Sequence, residues 1–197
     1  MTRAANFDMP NKILEEAEKI VVAEGFQGIN MRDLAGNVGV SATAIYHYFS
    51  SKDEILRNLR LRAAEMLNRK IRSISMELSA HDYLGALGRE YLSFAEKNPN
   101  LYRLVFEAPR DEREEGRGDH PVLYYTYRAA RDALQRKAEA EGIPMDPRYW
   151  AMMGWIMLHG FASLMMSGVL PPAEGMSTDT LRDVFMSFYN HGGNKKG

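Results

Sequence analysis

Apolar residues recur every three or four positions along almost the whole chain, and nowhere do they alternate in twos. That period matches the helical turn, so each stretch can bury one face only as an α-helix, and a sheet has no pattern to build on. The stretches are punctuated by residues that stop or start a helix. Gly25, Gly39 and Gly142 stand at ends, where a left-handed residue closes the last turn. Asn98-Pro99 and Asp146-Pro147 stand at beginnings, as N-cap followed by proline at the first position. The pattern predicts an all-α chain of about nine helices joined by short loops.

The first helix runs from about Asp8–Pro10 to Glu24, with Ile13, Ala17, Ile20 and Val21 on its apolar face. Met31 to Val38 follows, with Asn30 as N-cap and Asp33 at the third position. Ser41 caps a short helix through about Tyr48. Ser51 and Glu54 form a capping box heading a long helix from Lys52 to about Leu78, whose face is Ile55, Leu59, Ala63, Met66, Ile74 and Leu78. The next helices span His81 to Lys97, Pro99 through Phe106, and Pro121 to Glu141. An uncharged helix opens at Asp146-Pro147, and Ser177 caps the last one, with Leu181, Val184, Phe185 and Phe188 on its face. Arg110 to Asp119 is a charge run with nothing to bury and reads as a mobile loop. The segment from Gly192 to Gly197 should fray.

At 197 residues the chain can bury a core without staples, and it has no cysteine, which excludes disulfide scaffolds, thiolate metal sites and thiol catalysis. A net charge of −1 excludes a basic coat for indiscriminate nucleic-acid binding. Met1 to Pro10 lacks the apolar core of a secretory signal, so the cytoplasm is the expected compartment. No Asp, Glu, Lys or Arg lies between Arg148 and Glu174, a stretch long enough to span a bilayer. It contains His159, Ser163 and Ser167 and lacks flanking cations on its C-terminal side, so the expectation is an internal or interface helix and no membrane partner.

Met31 to Ser50 fits a helix-turn-helix. Leu34, Val38, Val40 and Ile45 supply the apolar contacts between two short helices, Ala35 the small residue at their closest approach, and Gly39 the turn. The second helix would enter a major groove by its N-terminal half, capped by Ser41. Ala42, Thr43 and Ala44 are short there and let backbone approach base edges. Tyr46, His47 and Tyr48 offer O–H and N–H groups at phosphate reach, and Lys52 stands in the first turn of the next helix. The same periodicity also describes a generic pair of helices around a buried aromatic cluster.

The residues reach further than periodicity. Gly39-Val-Ser-Ala-Thr-Ala-Ile-Tyr-His-Tyr-Phe-Ser-Ser-Lys-Asp-Glu-Ile-Leu56, with the preceding Gly25-Phe26-x-Gly28 and Arg32-Asp33-Leu34-Ala35, closely resembles the recognition segment of the TetR family of transcriptional regulators, over about residues 9–56. The resemblance implies an all-helical homodimer that binds double-stranded operator DNA. Residues 1–56 would form the DNA-binding domain. Residues 57–197 would hold a small-molecule effector and the dimer interface. It implies Arg32, Ser41, Ala42, Thr43, Ala44, Tyr46, His47, Tyr48 and Lys52 at the DNA, with Tyr46 and Lys52 on phosphates and Arg32 and Thr43 on base edges. Phe49 is expected in the domain core. One departure stands out: residues 1–56 carry five Lys/Arg against eight Asp/Glu, a net of −3, with only Arg3 and Lys12 as a basic arm. Arg57, Arg60 and Arg62 follow as possible compensation.

In the second half, Trp155-Ile-Met-Leu-His159-Gly160 and Asn98-Pro-Asn-Leu-Tyr-Arg-Leu-Val-Phe106 resemble the Trp…His-Gly class of C-terminal domain in this family. His159 reads either as a ligand contact or as a satisfied core histidine, and Gly160 as a point of close helix approach. Candidate effector-pocket residues are Met66, Tyr91, Phe94, Phe106, Tyr124, Tyr127, Met153 and Met157, which equally describe plain core. No metal or cofactor is expected. The histidines at 47, 81, 120, 159 and 191 are widely spaced, and Glu112, Glu114, Glu115 and Asp119 match no EF-hand. His81-Asp82 reads as a helix-start pair. No nucleotide-binding, metalloprotease or nucleophile-elbow motif is present. The rival readings are a helical scaffold that binds protein only, and an enzyme using the C-terminal pocket.

Overall fold

The computed structural model describes residues 8–108, 124–169 and 177–191. Among the described residues nine α-helices form and no strand does: α1 (Met9–Glu24), α2 (Met31–Val38), α3 (Ala42–Tyr46), α4 (Lys52–Arg72), α5 (Ala80–Lys97), α6 (Pro99–Phe106), α7 (Tyr125–Glu141), α8 (Pro147–Ser167) and α9 (Thr178–His191). A 3-10 turn, Phe26–Gly28, joins α1 to α2. The expected loop Arg110–Asp119, the helix start at Pro121, the arm residue Arg3, the Phe188 side chain and the Gly192–Gly197 tail lie outside the described residues.

Capping accounts for most boundaries. The side chains of Asn30, Ser41 and Asp146 accept from the amides of Arg32, Ala44 and Arg148, so α2, α3 and α8 start where a polar side chain satisfies a free N–H. Ser177 Oγ accepts from Thr180 N at the head of α9. Ser51 Oγ accepts from Glu54 N, but the Glu54 carboxylate reaches one residue beyond the expected box, to the N–H and O–H of Ser50. Asn98 precedes Pro99 without a side-chain cap bond of its own.

Two helices are shorter than their periodicity predicts. α4 stops at Arg72 rather than near Leu78. Ser73 Oγ donates to Lys70 O and Ser75 Oγ accepts from Glu77 N, local bonds that compete with the helical ladder. Ser79 then takes Asp82 N and donates to the Asp82 carboxylate, so α5 begins with a Ser-x-x-Asp cap rather than at His81-Asp82. Ile74 and Leu78 therefore leave the α4 face, and Ile71, fully buried, is its last core residue. Helix α3 ends at Tyr46: Tyr48 N donates to Ile45 O three residues back, and His47 and Tyr48 form a turn.

The chain divides into two compact units, Met1–Met66 with Asn98–Leu123, and Leu67–Lys97 with Tyr124–Gly197. Helix α4 begins in the first and ends in the second. In the first unit α1 packs on α2, on the 3-10 turn and on α6, and α2 packs on α3. Ile13, Ala17, Val21, Leu34, Ile45, Ile55 and Leu104 are closed to solvent, and Phe49 is buried as expected. In the second unit α5 packs against α7, α8 and α9, and α7 against α8. Tyr83, Leu87, Tyr91, Ala133 and Leu158 form its core. Helix α8 buries Ala151, Leu158 and Ala162 but leaves Tyr149, Trp150, Met152, Met153, Ile156 and Leu164 exposed. Among the described residues no helix is long and apolar enough to cross a membrane.

Candidate functional site

Gly39 makes the corner between α2 and α3. It adopts φ 81° and ψ 31°, a left-handed backbone in which an L side chain is strained. Gly39 N then donates to Gly36 O, and Val40 N to Ala35 O, closing α2 with paired bonds that turn the chain sharply. Leu34 and Ile45 have no exposed surface and Ala35 almost none, so the inner faces of both helices are buried. Each large apolar side chain buried in this way is worth about 1.5–3 kcal/mol, enough to hold a five-residue helix that has no stability alone.

The outer faces carry the candidate contacts. Arg32, Ser41, Thr43 and His47 are exposed, Tyr46 is 51% exposed, and Ala42, Ala44 and Tyr48 are half-buried. Arg32 and Thr43 thus stand outward on consecutive short helices, positioned by the caps at Asn30 and Ser41. The Ser41 hydroxyl is occupied as a cap acceptor. Two of the supposed compensating cations are engaged within the fold: Arg60 is 3% exposed with its Nε donating to Leu104 O, and at the surface Arg62 Nη2 donates to Asn11 Oδ1. Arg60 is thereby removed from any role at DNA, because its guanidinium is enclosed. Lys52, expected at a phosphate, directs its ammonium to the carbonyls of Ile29 at 2.7 Å and Gln27 at 3.3 Å. Hydrogen bonds from the Ser50 hydroxyl and amide hold the Glu54 carboxyl below its ordinary pKa, so this acid stays ionised.

The candidate pocket residues divide between the units: Met66 and Phe106 belong to the first and the other six to the second. In the second unit, Trp155 Nε1 donates to Tyr91 Oη at 3.3 Å, and that hydroxyl lies 3.4 Å from His159 Nδ1. Tyr124 meets Trp155 edge-on at 6.0 Å and Tyr127 lies at 6.4 Å. Tyr91, Tyr124 and Tyr127 are therefore gathered around Trp155, a residue absent from the sequence-based set, and His159 has a side-chain partner. Phe94 is buried on α5 and Met157 half-buried on α8. Met153 differs from expectation: it is 55% exposed and stands on the outward face of α8. Gly160 is also corrected. A Cβ there would meet nothing within 4 Å, so among the described residues no helix approaches it closely. It shares the outward face with Ile156 and Leu164, one turn before and after. An open groove of about 700 Å³ lies at the α7–α8 turn and is lined by none of these aromatic residues; there Arg131 and Arg148 are already paired with Asp132 and Asp146.

Comparison with known proteins matches both halves. Residues 13–59 fit the model of bacterial regulatory proteins of the tetR family, and residues 84–187, about half of the chain, that of the tetracyclin repressor-like C-terminal domain. An uncharacterised helix-turn-helix transcriptional regulator of Mycobacterium tuberculosis is 23% identical over 170 residues, covering 86% of this chain and 74% of that protein. The chain spans about half the length of other mycobacterial regulators, with 30% identity over 111 residues and 47% of each covered. A protein of unknown function from Rhodococcus sp. RHA1 superposes with a TM-score of 0.76 at 23% identity, covering 93% of this chain and 94% of that one. The regulator FadR of Bacillus subtilis, solved in complex with stearoyl-CoA, superposes with a TM-score of 0.70 at 16% identity over 92% and 97%. The two family models lie in the expected order along the helix-turn-helix and the helices that follow it, and the chain belongs to the TetR family of transcriptional regulators.

Proposed function

We propose that the protein is an effector-responsive repressor. A homodimer places α2 and α3 of each copy in successive major grooves of a pseudo-palindromic double-stranded operator. It lets go when a small apolar or aromatic molecule binds the C-terminal half. In this reading residues 1–56 are the reading domain, residues 57–197 hold effector and dimer interface, and the protein works in the cytoplasm beside its DNA. The observation that carries it is the capped α2–Gly39–α3 unit, buried inside and presenting Arg32, Thr43, Tyr46 and His47 outside. Exposed side chains on α8 together with Gly160 support a second copy as the partner, because a monomer seldom leaves such a contiguous apolar face open. The rings of Tyr91, Tyr124 and Tyr127 gathered around Trp155 support an apolar or aromatic effector, and FadR, of similar fold, was solved in complex with stearoyl-CoA, whose acyl chain is apolar. The test is selection of a randomised duplex pool by the full-length protein, followed by a gel shift of the winners and of the DNA upstream of its own gene. A two-fold symmetric site bound by two copies is expected. Failure to enrich any sequence would overturn the reading.

A further inference from the structure

The turn between α1 and α2 is tightly specified. Gly25 has φ +81°, and a Cβ on Gly28 would lie 2.7 Å from Glu24 Cβ, so neither position accepts a side chain without a shift. Two side chains distant in sequence hold this turn. Asn100 Nδ2 donates to Val22 O at 3.0 Å on one side, and the Lys52 ammonium donates to Gln27 O and Ile29 O on the other. The residue after Ile29 is Asn30, whose side chain caps α2 by accepting from Arg32 N at 2.9 Å. A chain of short links therefore runs from Lys52 through the turn and the cap to the base of Arg32.

We propose that Lys52 is a positioning residue, whose ammonium ties the Gln27–Ile29 turn to the first turn of α4 and so fixes where Arg32 stands, rather than a ligand of the DNA backbone. The proposal rests on the reading of α2–α3 as the DNA-reading unit. An ammonium has three N–H donors on one small atom, which suits two converging carbonyls. A guanidinium sits on a longer stem and holds its donors in a rigid planar fork, so it does not reproduce the reach and direction of the ammonium at these two carbonyls. At a phosphate the order reverses, since arginine grips it at least as well as lysine.

The test uses the full-length protein, the duplex that the wild type selects from a random pool, and the variants Lys52→Met, Lys52→Arg and Arg32→Ala, all measured well below their unfolding temperatures. Lys52→Met and Lys52→Arg are each expected to lose about tenfold in affinity. The slope of log K against log salt should stay at its wild-type value, and Lys52→Met should cost nothing further once Arg32→Ala is present. A slope shallower by about one, with Lys52→Arg binding like the wild type, would mean that Lys52 neutralises a phosphate and overturns the proposal. A lowered melting temperature with unchanged affinity reduces Lys52 to a stabilising residue and overturns it as well. A measurement without DNA separates this claim from the one it rests on. In Lys52→Met, amide hydrogen exchange should quicken at Arg32 and Leu34 but not at Ala44, which Ser41 caps independently. If the wild type enriches no duplex, the DNA-reading function fails. The tether then stands or falls on that exchange pattern alone.

Discussion

Arg60 lies 3% exposed on α4 and donates its Nε to the Leu104 carbonyl on α6 at 3.2 Å, so a guanidinium closes the interior of the first unit. Leu104 is separated from it by 44 residues of sequence and α6 falls within the C-terminal family match, yet α6 packs on α1 in the first unit. Removing a charged donor from a buried carbonyl leaves that carbonyl unsatisfied, at a cost of about 1–3 kcal/mol. Arg60→Met, which keeps the apolar stem, is expected to lower the melting temperature by several degrees, at about 2–4 °C per kcal/mol for a chain of this size. An unchanged urea midpoint would show that the bond contributes nothing.

Two residues at the head of α3 should separate stability from recognition. Ser41 Oγ accepts from Ala44 N, so Ser41→Ala should cost about 1 kcal/mol of stability and Ser41→Gly only a few tenths. Thr43 is exposed and makes no such bond among the described residues, so Thr43→Ala should leave stability within about 0.5 kcal/mol. It should instead lose about 1–3 kcal/mol of discrimination at one or two base pairs. Denaturation curves and binding to single-substitution duplexes read the two effects. Equal behaviour of the two variants in both assays would remove the distinction.

Acid sensitivity should appear at the head of α4. Ser50 donates to the Glu54 carboxylate through both O–H and N–H, which lowers the folded-state pKa beneath the unfolded one. The unfolded chain then binds the proton more readily, so the contribution is present above about pH 4.3, the ordinary glutamate value, and is lost as pH falls through the folded value. Glu54→Gln is expected to flatten the fall in stability between about pH 5 and pH 3 and to matter little as a charge above it. Urea midpoints across that range decide it; parallel curves for both proteins would rule out the linkage.

A carboxylate on the outward face of α8 should split the proposed dimer. Ile156 is 55% exposed in the single chain, near Met153, Gly160 and Leu164 on the same face. With α9 this face is expected to form a two-fold interface of more than about 1,200 Å². Ile156→Glu should sediment as a monomer at micromolar concentration and lose operator binding, with its helix content intact. A wild-type protein already monomeric there would contradict the assigned interface.

Effector and operator should oppose one another. A molecule that relieves repression by favouring the non-binding state has a coupling of about 1–3 kcal/mol, and linkage requires the operator to weaken effector binding by the same factor. Helix α4, which starts in the unit proposed to read DNA and ends in the other, would be the covalent route for that coupling. Apolar and aromatic compounds should be screened by thermal shift. A hit should then be titrated with and without the selected duplex. Equal affinities would leave a DNA-binding dimer without the proposed switch.

Local physics made much of this protein legible in its amino-acid order. The helical period, the left-handed corner at Gly39, the caps at Asn30, Ser41 and Asp146, and the buried Leu34 and Ile45 all depend on neighbours within a few positions, and the structure places each as the pattern predicts. Even the early end of α4 had a local cause, since Ser73, Ser75 and Ser79 each form bonds that compete with or restart a helix. Tertiary structure alone decided how the long cationic side chains are used. Lys52 binds carbonyls 23 and 25 residues away and Arg60 one 44 residues away. Tyr91 comes within hydrogen-bonding reach of Trp155 and His159 across 64 and 68 residues. No periodicity encodes such pairings. A lysine at the head of a helix has the same local pattern whether its ammonium turns outward to solvent or inward to a loop, and only the packing of α1, α4 and α6 settles which carbonyls lie within its reach.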